Sequence, residues 1–310
     1  MTTFGHALVT GGAGFIGSHL TRKLIAEGRK VTVLDNLSVG RREAVPEGAR
    51  FVAGDIRDEP TLADALTDVD CVFHLAAQVT IRGSFDRFYE DLDTNVMGTA
   101  RLLRAIDPAR VKWFTLASSM AVYADAPSPA PISESHTTAP ISPYGIGKLA
   151  AEGVSRQILE ARGIPFTAVR YFNTFGPGQS YTPYVGVITI FVTRLAAGQR
   201  ITVFGDGEQQ RDFVHVDDIA TGTLATVGRS PGTYNLGTGR GTSLNQLAAM
   251  LITRLAPDQR AAYAAAPAGE LRYSVADISA ARQALNYQPI RSLDADLDNV
   301  IVEIRARPLS

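Results

Sequence analysis

The first 175 residues alternate short apolar segments with segments of helical periodicity. The predicted strands are "HALVT", "KVTVLD", "ARFVAGD", "DCVFHLAA", "VKWFTLAS" and "PFTAVRYFN". The predicted helices lie near residues 15–27, 61–66, 93–106 and 144–161. Continuous apolar strands that alternate with helices are typical of parallel βαβ units. The pattern therefore predicts an α/β fold with a doubly wound parallel sheet of the Rossmann type.

The alternation weakens after about residue 176. "VGVITIFVTRLAAG" predicts a helix, and "ITVFGDGEQQRDFVHVDDIA" predicts a strand, a turn and the start of a helix. The segment 261–274 has low complexity, which a linker would explain. We predict a Rossmann domain over residues 1–175, whose last elements are interleaved with later segments at about 200–237, and a smaller, mixed α/β region over 176–310.

Charge and composition exclude several classes of function. The net charge is −1, so the chain has no basic field suited to nucleic acid. No segment matches a signal peptide or a transmembrane helix, and the single cysteine, Cys71, cannot form an internal disulfide. The five histidines are scattered without metal-ligand spacing. We expect a cytoplasmic protein with no metal and no membrane or nucleic-acid partner.

A glycine-rich turn joins the first predicted strand to the first predicted helix. "TGGAGFIGSHL" places Gly11, Gly14 and Gly17 three residues apart. Glycines permit the tight turn and let the backbone approach a pyrophosphate, while the helix N-terminus presents free N–H groups. The turn predicts a dinucleotide site, although glycines at such a position can also be turn residues only.

Two aspartates end the second and third predicted strands. Asp35 stands 18 residues after Gly17, where a carboxylate accepts from both ribose hydroxyls and repels a 2′-phosphate. This predicts NAD(H), although Arg41 and Arg42 nearby keep NADP(H) open. Asp55 could reach the adenine, or it could cap a helix or a turn.

Tyr144 and Lys148 stand four residues apart at the start of a predicted helix, so their side chains share one face. Ser119 ends the fifth predicted strand, at the edge where such sheets bind ligands. The three side chains are expected to meet where a nicotinamide would lie. An ammonium nearby should lower the pKa of the tyrosine from about 10 and make it a base. A solvated surface pair is the alternative.

With these residues assembled, the chain resembles the extended short-chain dehydrogenase/reductase family, and within it the NAD-dependent nucleotide-sugar 4-epimerases. The resemblance runs nearly end to end, through "TGGAGFIGSHL", "DNLSVG", "GDIRD", "HLAAQ", "NVMGT", "SSMAVYA", "SPYGIGK", "RYFNTFGPGQ", "GDGEQQRDFVHVDDIA", "YNLGTG" and "VADIS".

The resemblance implies roles for individual residues. Ser119, Tyr144 and Lys148 would be the catalytic triad, and Asn173 and Arg211 would hold the diphosphate of the sugar nucleotide, bound mainly by region 176–310. Beyond the three glycines, Tyr144 and Lys148, the implied NAD contacts are Phe15, Ile16, Asp35, Asn36, Asp55, Ile56, Leu75, Ala76, Ala77, Asn95 and Phe172.

The residues after Ser119 bear on the type of reaction. Similar 4,6-dehydratases carry Asp-Glu there and decarboxylating relatives a Glu, whereas this chain has Met120 and Ala121, which cannot move a proton. We therefore predict epimerisation at C4 through a 4-keto intermediate, with Tyr144 as base and a UDP-sugar as substrate. Relatives that epimerise glucuronic acid tend to have Thr in place of Asn173, which argues against a carboxylate sugar.

The chain departs from the family at several positions. Gly147 and Ala124 replace a usual Ser and Gly, while Pro267 and Gly178 replace arginines that bind nucleotides. Arg272 could compensate.

Ser274 falls where relatives that exclude N-acetyl groups carry a tyrosine. We therefore expect UDP-GlcNAc/UDP-GalNAc to be accepted alongside UDP-glucose/UDP-galactose.

Other readings of the same residues stay open. A 2-epimerase or a 4-ketoreductase would use the same fold, and a non-catalytic NAD-binding regulator is a further alternative. The resemblance also implies a homodimer through the helices at about 94–106 and 145–161, whose apolar faces agree with it.

Overall fold

The computed structural model describes residues 4–126, 128–179, 186–266 and 271–306. These ranges contain fourteen strands and eleven α-helices. The strands are β1 (His6–Thr10), β2 (Lys30–Asp35), β3 (Arg50–Ala53), β4 (Cys71–His74), β5 (Trp113–Ser119), β6 (Phe166–Tyr171), β7 (Asn173–Phe175), β8 (Thr202–Phe204), β9 (Gln210–Arg211), β10 (Phe213–His215), β11 (Gly232–Leu236), β12 (Thr242–Ser243), β13 (Ala262–Ala264) and β14 (Tyr273–Ser274). The helices are α1 (Phe15–Ala26), α2 (Glu59–Ala65), α3 (Gly83–Asp86), α4 (Phe88–Leu92), α5 (Thr99–Ala105), α6 (Pro143–Ala161), α7 (Val187–Ala196), α8 (Val216–Leu224), α9 (Leu244–Leu255), α10 (Ser279–Leu285) and α11 (Leu293–Ala306).

Seven parallel strands form the main sheet, in the order β3-β2-β1-β4-β5-β6-β11. All six strands predicted in the first 175 residues belong to it, and β11 joins from later in the chain. The chain order reverses between β1 and β4, where the carboxyl ends of neighbouring strands leave a crevice. The prediction of a doubly wound parallel sheet is confirmed.

Helices cover both faces of this sheet, which explains why its strands are apolar throughout. On β1, Leu8 packs into a cluster with residues of α2, α5 and α6, whereas its neighbour Val9 packs against α1 and α8 on the opposite face. Both side chains are completely buried. The continuous apolar pattern follows because each strand has no face exposed to water.

The region after β6 adds smaller sheets and a third core. β7 pairs with β10, β8 with β13, and β9 lies between β12 and β14 in a mixed arrangement. α7 packs against α9 and α11 around an apolar cluster. The linker explanation of residues 261–274 is wrong for the part that the structure describes, since β13 and β14 are both paired there.

Two helical segments differ in detail from the prediction. α2 begins at Glu59 because the Asp58 carboxylate accepts from the Thr61 backbone N–H and caps the helix. Residues 93–106 form a π-helical turn, Asp93–Gly98, before α5 begins. None of the helices in the described ranges is long and apolar enough to cross a membrane.

Candidate active site

A cavity of about 730 Å³ lies at the carboxyl ends of the main strands. It runs from the turn after β1, past the ends of β2, β4 and β5, to side chains of α7, β9 and the segment before β14. This is the crevice that the strand order creates, and the predicted site residues can be located relative to it.

The glycine-rich turn is packed too tightly to admit a side chain at Gly11 or Gly17. Gly11 has φ +71°, and a Cβ added there would lie 2.7 Å from the Ala76 backbone nitrogen. A Cβ on Gly17 would lie 2.2 Å from the Gly11 carbonyl oxygen. Gly14 precedes α1, and no side chain among the described residues caps that helix. The free N–H groups in the first turn of α1 therefore lie at this end of the cavity, together with the positive end of the helix dipole. Both features suit the binding of a pyrophosphate.

Asp35 lies at the end of β2 and lines the cavity, although only 8% of it is exposed. Its carboxylate accepts from the backbone N–H of Ala13 at 3.0 Å and of Leu37 at 2.8 Å. Burial raises the Asp35 pKa, and these two N–H groups oppose that shift. Each oxygen keeps a lone pair for another donor such as a ribose hydroxyl.

Asp55 is fixed by its neighbours. Arg57 donates to it from both Nε and Nη2 at 2.8 Å, and Asn36 donates from Nδ2 at 2.9 Å. The Arg57 guanidinium holds the Asp55 pKa well below its usual range. Asp55 also accepts from the Arg57 backbone N–H, as a turn aspartate does. It lines the cavity as well, and its contact with adenine stays a prediction.

Asn95 lies in the π-helical turn, 1% exposed, and is not among the described residues that line the cavity. Its side-chain amide accepts from the Gln78 backbone N–H at 2.9 Å and donates to the Gln78 carbonyl at 3.1 Å. Leu75 and Ala76, in the same segment after β4, donate to the Thr10 hydroxyl. Asn95 therefore anchors the segment that lines the cavity and does not itself border it.

The N-terminus of α6 positions Tyr144. The Ser142 hydroxyl accepts from the Gly145 backbone N–H, and the Ser84 hydroxyl accepts from the backbone N–H of Tyr144. Ser119, at the end of β5, lies close enough to the Tyr144 phenol to lower its pKa. Tyr144 and Lys148, the latter 4% exposed, both line the cavity. The structure thus brings the three residues together, and Tyr144 and Lys148 are not a solvated surface pair.

The electrostatics of this group differ from the expectation. Burial raises the Tyr144 pKa to about 12, the nearby Ser119 hydroxyl opposes this, and the charge of Asp91 raises it further. Burial lowers the pKa of Lys148 to about 8, and its Nζ donates to the Ala117 carbonyl at 2.9 Å. The expected lowering of the tyrosine pKa is wrong for the protein alone, because burial of the phenol raises this pKa more than Ser119 lowers it.

The opposite end of the cavity is basic. Arg211 lines it from β9, and Arg82 and Arg194 line it as well. The Arg82 guanidinium lies 5.6 Å from the centre of the Phe204 ring. Asn173 lines the cavity from β7, and its buried Oδ1 has no hydrogen-bond partner among the described residues. A buried polar atom beside a cavity suits a ligand that donates to it. No sequence motif pointed to Arg82 or Arg194, which the fold brings to the cavity.

Two described positions with predicted substrate roles, Ser274 and Arg272, are not among the lining residues of the cavity. Ser274 is completely buried in β14 and is not among the described lining residues. Arg272 donates to both carboxylate oxygens of Asp206, at 2.7 and 2.9 Å, which engages the guanidinium that was expected to compensate for Pro267. Pro267 itself lies outside the described residues.

The remaining predicted residues line the cavity: Phe15, Ile16, Ile56, Ala77 and Phe172. Met120 and Ala121 line it next to Ser119. The only carboxylates among the described lining residues are Asp35 and Asp55, which belong to the glycine-rich end. Among the described residues, the cavity lining near Ser119 therefore includes the Tyr144 phenol and the Lys148 ammonium but no carboxylate.

Comparison with known proteins gives one family. The sequence profile described as the NAD dependent epimerase/dehydratase family matches residues 7–237. A UDP-glucose 4-epimerase of Mycolicibacterium smegmatis is 35% identical over 292 residues, covering 91% of this chain and 93% of that protein.

Solved structures agree with the sequence match. The crystal structure of a Thermotoga maritima UDP-glucose 4-epimerase with UDP-glucose has a TM-score of 0.92 at 36% identity, over 97% of this chain and 98% of that one. A UDP-N-acetylglucosamine 4-epimerase of Methanobrevibacter ruminantium, in complex with UDP-N-acetylmuramic acid, has a TM-score of 0.90 at 32% identity, over 97% and 98%.

Proposed function

The chain belongs to the NAD dependent epimerase/dehydratase family, and we propose that it interconverts the C4 epimers of UDP-sugars through a transient 4-keto intermediate, with Tyr144 as the base. The observation that carries this proposal is that the buried Tyr144 lines one cavity together with Ser119, Lys148 and the glycine-rich turn.

The residues present suit NAD. Gly11, Gly14 and Gly17 leave backbone N–H groups at the start of α1 for its pyrophosphate, and Asp35 stands at the end of β2 for a ribose. NAD+, when bound, supplies the hydride acceptor for C4 oxidation and a positive charge that favours the phenolate. The family's dependence on NAD confirms the cofactor that these residues predicted.

Tyr144 and Ser119 carry the proton chemistry. The tyrosine accepts the proton of the C4 hydroxyl as that carbon is oxidised, and it returns the proton when the ketone is reduced. The Ser119 hydroxyl orients the C4 oxygen and polarises the ketone by donating a hydrogen bond to it. Because burial raises the Tyr144 pKa to about 12 in the protein alone, ionisation of the phenol would depend on the positive charge of bound NAD+ together with the Lys148 ammonium.

Inversion requires the ketone to present its other face to the same catalytic groups. Arg211 and Asn173 lie at the far end of the cavity and would hold the diphosphate while the sugar turns. Holding the substrate by its diphosphate leaves the hexose free to rotate about the bonds that link it to phosphorus.

The lining beside Ser119 favours epimerisation over elimination. Loss of water from a 4-keto sugar needs an acid and a base near C5 and C6. Met120 and Ala121 occupy the adjacent lining positions, and neither side chain moves a proton. A ketone formed here would be reduced again, which completes a C4 epimerisation.

The choice of sugar is a finer proposal. We infer that UDP-glucose/UDP-galactose and UDP-GlcNAc/UDP-GalNAc are substrates, a choice supported by relatives of both kinds. A homodimer through the helices at about 94–106 and 145–161 and a cytoplasmic location remain predictions.

The direct test is to incubate the purified protein, without added cofactor, with UDP-glucose, UDP-GlcNAc and UDP-glucuronic acid separately, and to follow each by NMR. We expect the first two to give their C4 epimers. Tyr144→Phe should lower kcat at least ~100-fold with little change in binding, whereas Tyr263→Phe, at an exposed position, should not.

Three results would overturn the proposal. Near-normal turnover in Tyr144→Phe would remove the assigned base. Reaction only after NADH or NADPH is supplied in stoichiometric amounts would favour a 4-ketoreductase. A C2 epimer as product would favour a 2-epimerase.

A further inference from the structure

Asp91 lies in α4, packed against α6 near the proposed catalytic pair. It is 2% exposed. Its Oδ1 accepts from the Asn95 side-chain amide at 3.0 Å, and its Oδ2 is buried with no hydrogen-bond partner among the described residues. The same Oδ1 lies 3.4 Å from the point where a Cβ on Gly147 would be, which places the carboxylate beside the residue that precedes Lys148. A buried carboxylate with one oxygen unpartnered is costly unless a positive charge compensates it.

A second buried carboxylate near Lys148 is already compensated. Glu152, one turn further along α6, receives Arg170 Nε at 2.9 Å and Arg170 Nη2 at 2.7 Å. Both partners are nearly buried, with side-chain exposures of 6% for the arginine and 3% for the glutamate. The negative charge of Glu152 is therefore largely cancelled by Arg170, whereas that of Asp91 is not.

The titratable and charged groups around Lys148 come from several elements: Tyr144 and Glu152 on α6, Arg170 on β6, His74 at the end of β4 and Asp91 on α4. His74 is neutral, because burial lowers its pKa to about 3. Of the two carboxylates among these groups, Glu152 has an ion-pair partner, whereas Asp91 Oδ2 has no hydrogen-bond partner among the described residues.

We propose that Asp91 is the buried counter-ion of Lys148, and that it acts as a positioning residue by holding the lysine as an ammonium beside Tyr144. Its influence on catalysis rests on the proposed function, whereas its influence on the charge of Lys148 does not.

The charges act in the expected directions. The Coulomb interaction with Asp91 raises the pKa of Lys148 against the lowering effect of burial, and Lys148 in turn lowers the pKa of Asp91. Burial nevertheless leaves the Asp91 pKa raised, to about 6. Between about pH 6 and about pH 8 the pair is carboxylate and ammonium. Below that range the carboxylate takes up a proton, so that Lys148 loses its counter-ion, and above it the lysine loses its own proton.

The chain makes this measurable, because it has only four lysines. Lysine labelled with ¹³C at Cε gives four NMR signals that can be followed with pH. The Lys148 signal is the one that is missing from the spectrum of Lys148→Arg. In the unsubstituted protein we expect Lys148 to titrate near 8. In Asp91→Asn its pKa should fall by about one unit or more. Glu90→Gln removes an exposed charge from the adjacent position and should leave the Lys148 pKa unchanged. An unchanged Lys148 pKa in Asp91→Asn would overturn the proposal.

A second pair of variants keeps the proposal testable if Asp91→Asn does not fold. The space at Gly147 accepts a Cβ in ordinary contact with Asp91, so Gly147→Ser brings a hydroxyl within reach of the carboxylate, and Gly147→Ala adds the Cβ alone. The Lys148 signal should show a second inflection near 6, where Asp91 titrates. The serine variant should move that inflection to lower pH, because its hydroxyl favours the charged carboxylate, and the alanine variant should not. Absence of the inflection from all three proteins would contradict the proposal.

Kinetics separate this inference from the proposed function. If Lys148 must be charged, the alkaline limb of the pH profile of kcat/KM should move to lower pH in Asp91→Asn. A uniform loss of rate with no movement of the limb would mean that Asp91 only supports packing. If the NMR shift occurs in a protein without epimerase activity, the counter-ion stands and the proposed function fails.

Discussion

Removal of the Glu152 charge should destabilise the protein strongly while leaving its shape nearly unchanged. Glu152→Gln leaves the Arg170 guanidinium, 5% exposed, without its bidentate partner. Arg170 lies 4.7 Å from the centre of the Tyr123 ring, so it cannot reach water without moving that ring. Breaking a buried pair by removing one partner costs about 3–5 kcal/mol, because an uncompensated charge stays buried. That is a large part of the about 5–15 kcal/mol by which such proteins are stable.

The assay is urea unfolding followed by fluorescence. The chain has one tryptophan, Trp113, at the start of β5, and it is 3% exposed, so its emission should report the loss of the core. A double-mutant cycle with Arg170→Met isolates the pair. Each single change should lower the free energy of unfolding by several kcal/mol, and the double variant should lose much less than their sum. Single losses below about 1 kcal/mol, or simple additivity, would refute the uncompensated-charge argument.

Three further substitutions test other parts of the structure. At a pH above the Asp91 pKa, Gly147→Ser should be more stable than Gly147→Ala by about 1 kcal/mol in urea titrations, although alanine is the better helix former. This advantage should shrink as the pH falls through about 6, where Asp91 takes up a proton. Gly17→Ala brings a Cβ within 2.2 Å of a backbone oxygen of the turn, so the purified variant should contain little NAD by absorbance and chromatography, while Gly153→Ala, with open space around it, should retain it. Ser274→Tyr should lower stability by about 1–3 kcal/mol because its site is fully buried; normal stability with selective loss of N-acetyl substrates would instead place this residue at the sugar.

The main sheet was predictable because its signal is local. A strand buried on both faces must be apolar at every position, and "KVTVLD" shows this without knowledge of its neighbours. The short strands of the C-terminal region carry no such signal. β9 and β14 have two residues each, and their pairing depends on which distant segments the main sheet brings together. Local composition therefore suggested a linker where the chain forms paired strands.

The candidate site likewise combines features that could be predicted from the sequence with features that could not. Tyr144, Lys148 and Ser119 could be placed together because helix spacing and strand ends fix where they point. The electrostatics could not, because they depend on burial and on Asp91, which comes from another helix. Asp91 leaves one trace in the sequence: it precedes Asn95 by one helical turn, and the two side chains are hydrogen-bonded. That spacing alone does not reveal that the pair packs beside Gly147, the residue that precedes Lys148.

Ser274 illustrates where a resemblance reaches its limit. Its substrate role was inferred because relatives that exclude N-acetyl groups carry a tyrosine there, yet the structure buries the side chain in β14, paired with β9. A shift of one residue in a strand turns a side chain from one face to the other, so alignment alone cannot decide which residue borders a cavity.

The central claim is oxidation and re-reduction at one carbon, and the fate of the C4 hydrogen tests it most directly. UDP-glucose is converted in D₂O by the purified protein without added cofactor, and the product is examined by NMR and mass spectrometry. A hydride that leaves and returns within one closed site never exchanges with water, so the C4 epimer should carry ordinary hydrogen at C4. Deuterium at C4 of the product would mean that the carbon is deprotonated and reprotonated by solvent, which would contradict the role given to NAD and to Tyr144.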